Sequence, residues 1–382
     1  IPKDSIMEDN LILYGAKLDS IHLRKALDHI FKTNLSLQSQ GKRGTPVCIW
    51  GTHGLGKTMI VQEFAHENKW QLAYCAPAQF EEMGDLHGIP FQVDPDENIL
   101  GDEYTAFAPP DWVPKQDGPG ILLLDDINRA DDRILRGLMQ LLQNFEMFSW
   151  ALPPKWQIVA TANPEGGDYS VTPMDDAMLT RLIHLTMVFD PKAWARWAYE
   201  YGVDSRGIDF VLTYPEVVTG KRSTPRSLVQ FFEQIQKIPD LKTQTDLIST
   251  LALSALDDVT AGTFLGFIND NLEYLISTEE ILDAKDFKAV SKRIKALGDT
   301  GDGGKRVDRL ATICTRLYLT MTDENYQARP THYENLVSFM TLKSLPNDLR
   351  MSLHSDLMKH GSEKVKKMLR DKRLAKLLLQ GM

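Results

Sequence analysis

Cysteine is scarce in this chain. The three cysteines among 382 residues, Cys48, Cys75 and Cys314, show no metal-ligand spacing and leave an odd count, so neither a disulfide framework nor a thiolate metal site is expected. Reduced thiols in a cytoplasmic setting are the expectation, with Cys48, inside an apolar run, read as core. Long hydrophobic runs are missing as well. The longest, Gly120 to Leu124, falls far short of the roughly 20 residues that a membrane span needs, so no span is expected. The N-terminus reads Ile1-Pro2-Lys3-Asp4, with no initiator methionine and no apolar signal region, which suggests a trimmed chain or part of a longer one and argues against export. A surplus of positive charge is also absent. With 43 Lys and Arg against 52 Asp and Glu, the net charge of −9 argues against general affinity for nucleic acid, leaving room only for a local basic patch.

What is present describes an ordinary globular protein. At 43% hydrophobic and 25% charged residues, the chain can bury a large core and divide into two or three domains. Apolar residues from Leu18 to Phe31 recur at helical spacing, and Gln38 to Gly44 reads as a polar loop. Thr45 to Trp50 reads as a short buried strand, followed by a glycine-rich turn and a helical pattern from Lys57 to Asn68. Residues 84 to 119, rich in Gly, Pro and Asp, read as an ordered excursion between core elements. Ile121 to Leu124 and Gln157 to Ala162 read as further buried strands, with a helix at Ile134 to Phe145 between them. Beyond Asp190-Pro191 the strand signals fade into helical patterns, interrupted at Gly298 to Gly304. The expected organisation is a lead-in helix in residues 1–42, an α/β core in 43–190, a helical lid in 191–284 and a helical C-terminal region in 285–382.

The turn Gly51-Thr52-His53-Gly54-Leu55-Gly56-Lys57-Thr58 has the spacing of a P-loop, and it lies between a strand and a helix as that motif requires. Glycines let backbone N–H groups converge on phosphates, the following helix presents its positive end, and Lys57 adds a mobile charge. The Thr58 hydroxyl suits Mg²⁺. The cluster Gly298 to Arg306 has neither the spacing nor a preceding strand, and reads as a linker. A P-loop also needs carboxylates at the tip of a neighbouring strand, and Ile121-Leu122-Leu123-Leu124-Asp125-Asp126 supplies two. Asp125 is the expected metal ligand and Asp126 the expected general base; the plainer alternative is that the acids open a loop or cap the helix near Asp131-Asp132. Asn163, ending Gln157-Ile158-Val159-Ala160-Thr161-Ala162-Asn163-Pro164, could meet the γ-phosphate or the attacking water, whereas an Asn-Pro pair alone signals a turn.

In this order the motifs resemble the AAA+ superfamily, and Leu124-Asp125-Asp126-Ile127-Asn128-Arg129-Ala130 with Ala160-Thr161-Ala162-Asn163-Pro164 resembles its MoxR branch, over roughly residues 10 to 280. The resemblance implies a P-loop NTPase core, a parallel sheet flanked by helices, with a helical lid and further helices after it. It implies ATP and Mg²⁺ as cofactors. It implies that Arg181, in Met178-Leu179-Thr180-Arg181-Leu182, matches an arginine finger reaching a neighbouring subunit's ATP, and that Arg226, in Thr224-Pro225-Arg226-Ser227, matches a sensor-2 arginine. The alternatives are a surface ion pair with Asp176 for Arg181 and a plain helix start at Pro225 for Arg226. Arg129 could serve subunit contacts or link the acids to an interface.

By the same resemblance, the excursion is where this branch carries an insert, and Phe145 to Lys155 is similar to its hairpin. Phe107, Trp112, Phe148 and Trp150 are then either partner contacts or packing anchors of their own loops. The family's usual pair is Asp-Glu, so Asp126 sits on a side chain one methylene shorter, and its reach to water decides hydrolysis before its acidity does.

The last segment interleaves Lys364, Lys366, Lys367, Arg370, Lys372, Arg373 and Lys376 with Val365, Met368, Leu369, Leu374, Leu377, Leu378 and Leu379, the pattern of one basic amphipathic helix. It reads as docked with a solvated charged face, or as a contact for a subunit, partner, nucleic acid or anionic membrane face. The functional expectation is an ATPase subunit of a homo-oligomeric ring, a hexamer, that remodels or matures a client protein, often with a partner bearing a von Willebrand factor A domain. A nucleic-acid motor and a nucleotide-gated scaffold with little turnover are the alternatives.

Overall fold

The computed structural model describes residues 11–95, 103–166, 169–219, 222–269, 276–298, 307–323 and 325–380, apart from the side chains of Asp308, Lys376, Leu379 and Gln380. The linker read at 298–306 falls outside the described residues except for Gly298, and so do the side chains of Lys376 and Leu379 from the basic segment. The chain forms two compact units divided between Asp190 and Pro191.

In the first unit the strands are β1 (Ala16–Leu18), β2 (Val47–Trp50), β3 (Gln71–Cys75), β4 (Ile89–Val93), β5 (Tyr104–Ala108), β6 (Gly120–Leu124), β7 (Glu146–Met147), β8 (Trp150–Ala151), β9 (Trp156–Ala162) and β10 (Ile183–Met187). Six of them form one parallel sheet in the order β1-β10-β2-β9-β6-β3. The helices are α1 (Ser20–Ser39), α2 (Lys57–Glu67), α3 (Met83–His87), α4 (Asp132–Asn144) and α5 (Asp176–Leu179). The central strands are continuous apolar runs because both their faces are covered. Val47, Ile49, Ile121, Leu123 and Val159 pack with Leu23, Leu27 and Phe31 of α1 and Ile60, Val61 and Phe64 of α2. Cys48, Trp50, Leu122, Leu124, Ile158 and Ala160 pack on the other side with Ile134, Leu135 and Leu138 of α4. All three cysteines are buried free thiols.

Two features near the start of the first unit depart from the sequence expectation. Strand β1 is only three residues long, Ala16-Lys17-Leu18, so it has no readable pattern; the parallel partner β10 makes it a strand. Helix α1 continues to Ser39, two turns beyond the apolar run that predicted it. Asn34 is buried there, because its amide donates to the Thr45 carbonyl and the Gln157 side chain, both at 2.9 Å.

Within the excursion, β4 and β5 form an antiparallel hairpin; between α4 and β9, β7 and β8 form a second, shorter one. The Ser149 hydroxyl accepts from Phe107 N at 2.5 Å and donates to Phe107 O at 3.2 Å, which ties the two hairpins together. Trp112 Nε1 donates to Asp85 O at 3.1 Å and Trp150 Nε1 to His87 O at 3.0 Å, and the two rings meet edge to face at 5.7 Å. Both are packing anchors, Trp112 within the excursion and Trp150 between the β7–β8 hairpin and the end of α3. Phe107 lies 4.9 Å from Phe148, which remains largely exposed.

The second unit is helical throughout its described residues: α6 (Pro191–Tyr201), α7 (Ser205–Thr213), α8 (Pro225–Ile235), α9 (Thr245–Ala255), α10 (Asp258–Asn269), α11 (Thr278–Leu282), α12 (Phe287–Leu297), α13 (Val307–Thr322), α14 (Pro330–Met340), α15 (Asn347–His360), α16 (Glu363–Met368) and α17 (Lys372–Gln380). Phe210, Phe231, Phe232 and Phe264 form its aromatic centre, with Phe210 and Phe264 at 5.0 Å. The basic segment is two short helices rather than one. The chain breaks before Asp371, whose carboxylate accepts from Arg373 N at 2.7 Å and from the Tyr333 hydroxyl at 2.6 Å, so local capping outcompetes helix continuation. Val365, Met368, Leu369 and Leu374 are buried, while Lys364, Lys367, Arg370 and Lys372 face outward.

Asp209 of α7 is buried against Arg316 of α13, with an Nη1–Oδ2 distance of 3.3 Å. Burial, only partly offset by Arg316, pushes its carboxyl up to about 6 from the usual 3.8. The folded unit therefore holds this proton more tightly than the unfolded chain. The resulting stabilisation is present below pH ~4 and is lost as pH rises through 6, by about 1 kcal/mol per pH unit at most. In urea denaturation at pH 4.5 and pH 7, Asp209→Asn should remove this component of the difference, and an unchanged difference would refute it.

Candidate functional site

Strands β2, β6 and β9 are neighbours running in one direction, so their carboxyl ends deliver three loops to one place. From β2 comes the glycine turn. Gly54 and Gly56 sit at φ 73° and 94°, a left-handed region that disfavours side chains, and Gly56 directly precedes the first turn of α2. A Cβ at Gly51 would stand 2.8 Å from the Met187 carbonyl oxygen. Lys57, the first residue of α2, is buried at 6% exposure and folds back over its own loop. Its ammonium donates to Gly51 O at 2.8 Å, Thr52 O at 3.1 Å and Asn163 Oδ1 at 3.2 Å. His53 and Tyr169 bring their rings to 5.9 Å, and a Leu55 methyl approaches Gly51.

From β6 come the two acids. Asp125 Oδ1 accepts from the Thr58 hydroxyl at 2.6 Å and the Thr161 hydroxyl at 2.7 Å, and its Oδ2 accepts from the Tyr74 hydroxyl at 3.0 Å. Burial, followed by the charge of Asp125, pushes the Tyr74 phenol up to about 12. Asp126 adopts the left-handed conformation, φ 48° and ψ 46°, and its amide donates to Thr161 Oγ1 at 2.8 Å. Both its carboxylate oxygens are engaged: Oδ1 by Asn163 Nδ2 at 2.9 Å and Oδ2 by Arg129 Nε at 3.1 Å. Each oxygen keeps a further lone pair for another donor. Asp131 accepts from the Arg133 and Ile134 amides and caps α4, so helix capping falls to it and not to Asp125 or Asp126.

From β9 comes Asn163, fully buried. Asn128 fixes it by a reciprocal pair, donating to Asn163 O at 2.8 Å and accepting from Asn163 N at 3.0 Å. The Asn163 side chain then joins Lys57 on one side to Asp126 on the other.

Of the residues expected from sequence, Gly51 to Thr58, Asp125, Asp126 and Asn163 converge here. Arg181 lies after α5 and donates to Gln143 Oε1 at 3.0 Å and to Ala177 O. Both are neutral acceptors, so the ion pair with Asp176 does not form among the described residues. Arg226 is exposed in the first turn of α8, which opens with Pro225 and is capped by Thr224, so the helix start read at Pro225 is present.

Tyr74, Asn128 and Thr161 belong to the cluster without having been singled out. Register places Thr161 beside Asp125, since Leu124 pairs with Ala160, and only pairing arithmetic could have found it. Tyr74 carries no signal in its strand. The glycine cradle, the helix N-terminus, Lys57, and a hydroxyl and a carboxylate 2.6 Å apart fit a nucleotide polyphosphate with Mg²⁺.

Residues 46–182 match the family model described as an AAA domain of the dynein-related subfamily. The match supports AAA+ superfamily membership for this segment, and the unit that contains it has the AAA+ P-loop NTPase fold. No curated protein sequence matches the chain. Among solved structures, a mutant RuvB from Thermotoga maritima is 13% identical over 92% of this chain and 90% of that one, with a TM-score of 0.40. NtrX from Brucella abortus in complex with ADP is 14% identical over 92% of this chain and 70% of that one, with a TM-score of 0.37. Likeness at this level says nothing about function.

Because Asn128 holds both backbone groups of Asn163, Asn128→Ala should leave two buried polar groups unpaired and cost about 2–4 kcal/mol of stability. Thermal denaturation checks this; a melting temperature equal to wild type would refute it.

Proposed function

We propose that the chain is an ATP-hydrolysing AAA+ subunit of the MoxR-like kind, acting in the cytoplasm in a homo-oligomeric ring, a hexamer, that remodels or matures a partner protein. The observation that carries this reading is the hydrogen-bonded line from Lys57 through Asn163 to Asp126, beside Thr58 and Asp125. It joins a phosphate-binding cation to a base candidate through one polar amide. The family match to residues 46–182 supports the nucleotide part.

In this reading the loop Gly51 to Thr58 cradles the phosphates and Lys57 turns from its carbonyl partners toward them. Thr58 and Asp125 would hold Mg²⁺, which supplies charge neutralisation between the phosphates. Asp126 accepts the proton of the attacking water, and Asn163 orients that water and registers the γ-phosphate. Arg181 lies at the surface on neutral partners, free to exchange them for a neighbouring subunit's nucleotide, and a planar guanidinium suits charge spread over a transferring phosphoryl group. Arg226 contributes from the helical lid, residues 191–284, with residues 285–382 as an accessory helical region. The client is a protein, and a von Willebrand factor A domain partner fits the same reading.

A second reading has a specific observation behind it. Both oxygens of Asp126 are already engaged, by Asn163 and Arg129, and the side chain is short. A site locked in this way would bind ATP and scarcely turn it over, making the ring a nucleotide-gated scaffold.

Single-turnover hydrolysis separates the two. For an active ATPase, wild type should exceed Asp126→Asn by about 100-fold or more, as expected for loss of a general base. Equal rates for the two, with Asp126→Glu faster, would establish the scaffold. Lys57→Ala and Arg181→Ala should each abolish turnover while rings mixed from the two regain part of it; a monomer hydrolysing at full rate without Arg181 would end the trans reading.

A further inference from the structure

Arg181 stands on a segment, Met174 through α5 to Leu182, that is tied at both ends to residues beside the loops of the site. At its start, Met174 N donates to Glu165 Oε1 at 2.9 Å, and Glu165 follows Asn163 by two residues. At its end, the carbonyl oxygen of Leu179, the last residue of α5, lies 2.8 Å from His184 Nε2. His184 Nδ1 in turn lies 2.9 Å from the indole Nε1 of Trp50, the last residue of β2 and the one directly before Gly51.

The chemistry of this pair fixes the direction of both bonds. An indole N–H can only donate, so His184 Nδ1 is the acceptor. The proton of the ring then sits on Nε2 and is donated to Leu179 O, which makes His184 a neutral imidazole in a single tautomer. Sheet register brings the two rings together: His184 of β10 sits opposite Cys48, and Trp50 lies two residues on, on the same face. Trp50 is fully buried, so its N–H requires a partner. Tyr14 closes the arrangement. Its ring lies 4.9 Å from that of Trp50 and 5.7 Å from that of His184, and its hydroxyl donates to Glu165 Oε2 at 3.3 Å.

The guanidinium of Arg181 has only the neutral acceptors Gln143 Oε1 and Ala177 O among the described residues, so its direction is set by the turn beneath it. In that turn Arg181 N donates to Met178 O at 3.1 Å and Leu182 N to Leu179 O at 3.3 Å. Leu179 O is thus the acceptor that the turn and His184 share.

We propose that His184 is a positioning residue for Arg181, holding the turn after α5 in fixed relation to β2 and so setting where the guanidinium is presented to a neighbouring subunit. This assignment rests on the reading of Arg181 as acting in trans. Among the described residues His184 bonds to none of Gly51 to Thr58, Asp125, Asp126 and Asn163, so its loss falls on the neighbour's site and spares the subunit's own.

The test is complementation in mixed rings, read beside nucleotide affinity. His184→Phe keeps a ring and removes both nitrogens. It should bind N-methylanthraniloyl-ADP with wild-type affinity and lower ATP turnover by about tenfold or more, since small displacements of a reacting group cost that much. Mixed with Lys57→Ala, whose Arg181 is intact, its sites should regain turnover; mixed with Arg181→Ala they should not. His184→Gln, which keeps a donor for Leu179 O, should restore most of the rate. Should His184→Phe not fold, Trp50→Phe, which takes from His184 its indole partner, goes through the same mixtures with the same expected result. Recovery with Arg181→Ala instead of Lys57→Ala would place the damage in the subunit's own glycine turn and overturn the proposal, as would weakened ADP binding. If Arg181→Ala and Lys57→Ala complement each other while His184→Phe turns over like wild type, this assignment falls and the trans reading stands. Full turnover by Arg181→Ala would end both.

Discussion

Charged groups delivered to the end of a buried parallel sheet cannot go without hydrogen-bond partners, and this requirement organises the first unit. The ammonium of Lys57 and the carboxylates of Asp125 and Asp126 meet where β2, β6 and β9 stop. Hydroxyls of Thr58, Thr161 and Tyr74 meet one carboxylate, and an amide and a guanidinium meet the other. These donors come from α2, from β3, from β9 and the residue after its end, and from the turn that follows β6, so the polar cluster and the sheet order depend on each other. Moving one strand by a single rung would separate Thr161 from Asp125.

Asn163 is the point at which this network becomes a line of communication. It touches the cation of the glycine turn and one carboxylate at once, and Asn128 prevents its backbone from drifting. An anion arriving at the turn competes with Asn163 for Lys57. The amide oxygen so released belongs to the same planar group whose nitrogen holds Asp126, so the surroundings of Lys57 and of Asp126 are connected through one side chain.

The core of this arrangement was readable from the sequence because it rests on local signals. Spacing between Gly51 and Thr58, and acids closing an apolar run at Leu124, survive without any knowledge of the fold. The partners Thr161 and Tyr74 did not show, since strand register is a long-range property that composition does not encode. Strand β1 went unread for the same reason: three residues gain strand geometry only from β10. The basic segment was misjudged in the opposite way. Its apolar periodicity was real, but the local bonds of Asp371 to Arg373 and Tyr333 ended one helix and began another. The aromatics of the two hairpins divided, Trp112 and Trp150 becoming supports through their indole N–H groups while Phe148 stayed in solvent.

The left-handed backbone at Asp126 has its own consequence. Of the acidic residues, aspartate enters that conformation with the least strain, whereas a longer, bulkier side chain enters it less readily. The main chain there is tied at both ends, by Thr161 Oγ1 at its amide and by Arg129 N at its carbonyl. Length and ease thus trade against each other at one position: the shorter acid suits the bend and gives up reach. Selection for a fast or a slow site at this bend would act first on torsion angles, and only through them on chemistry.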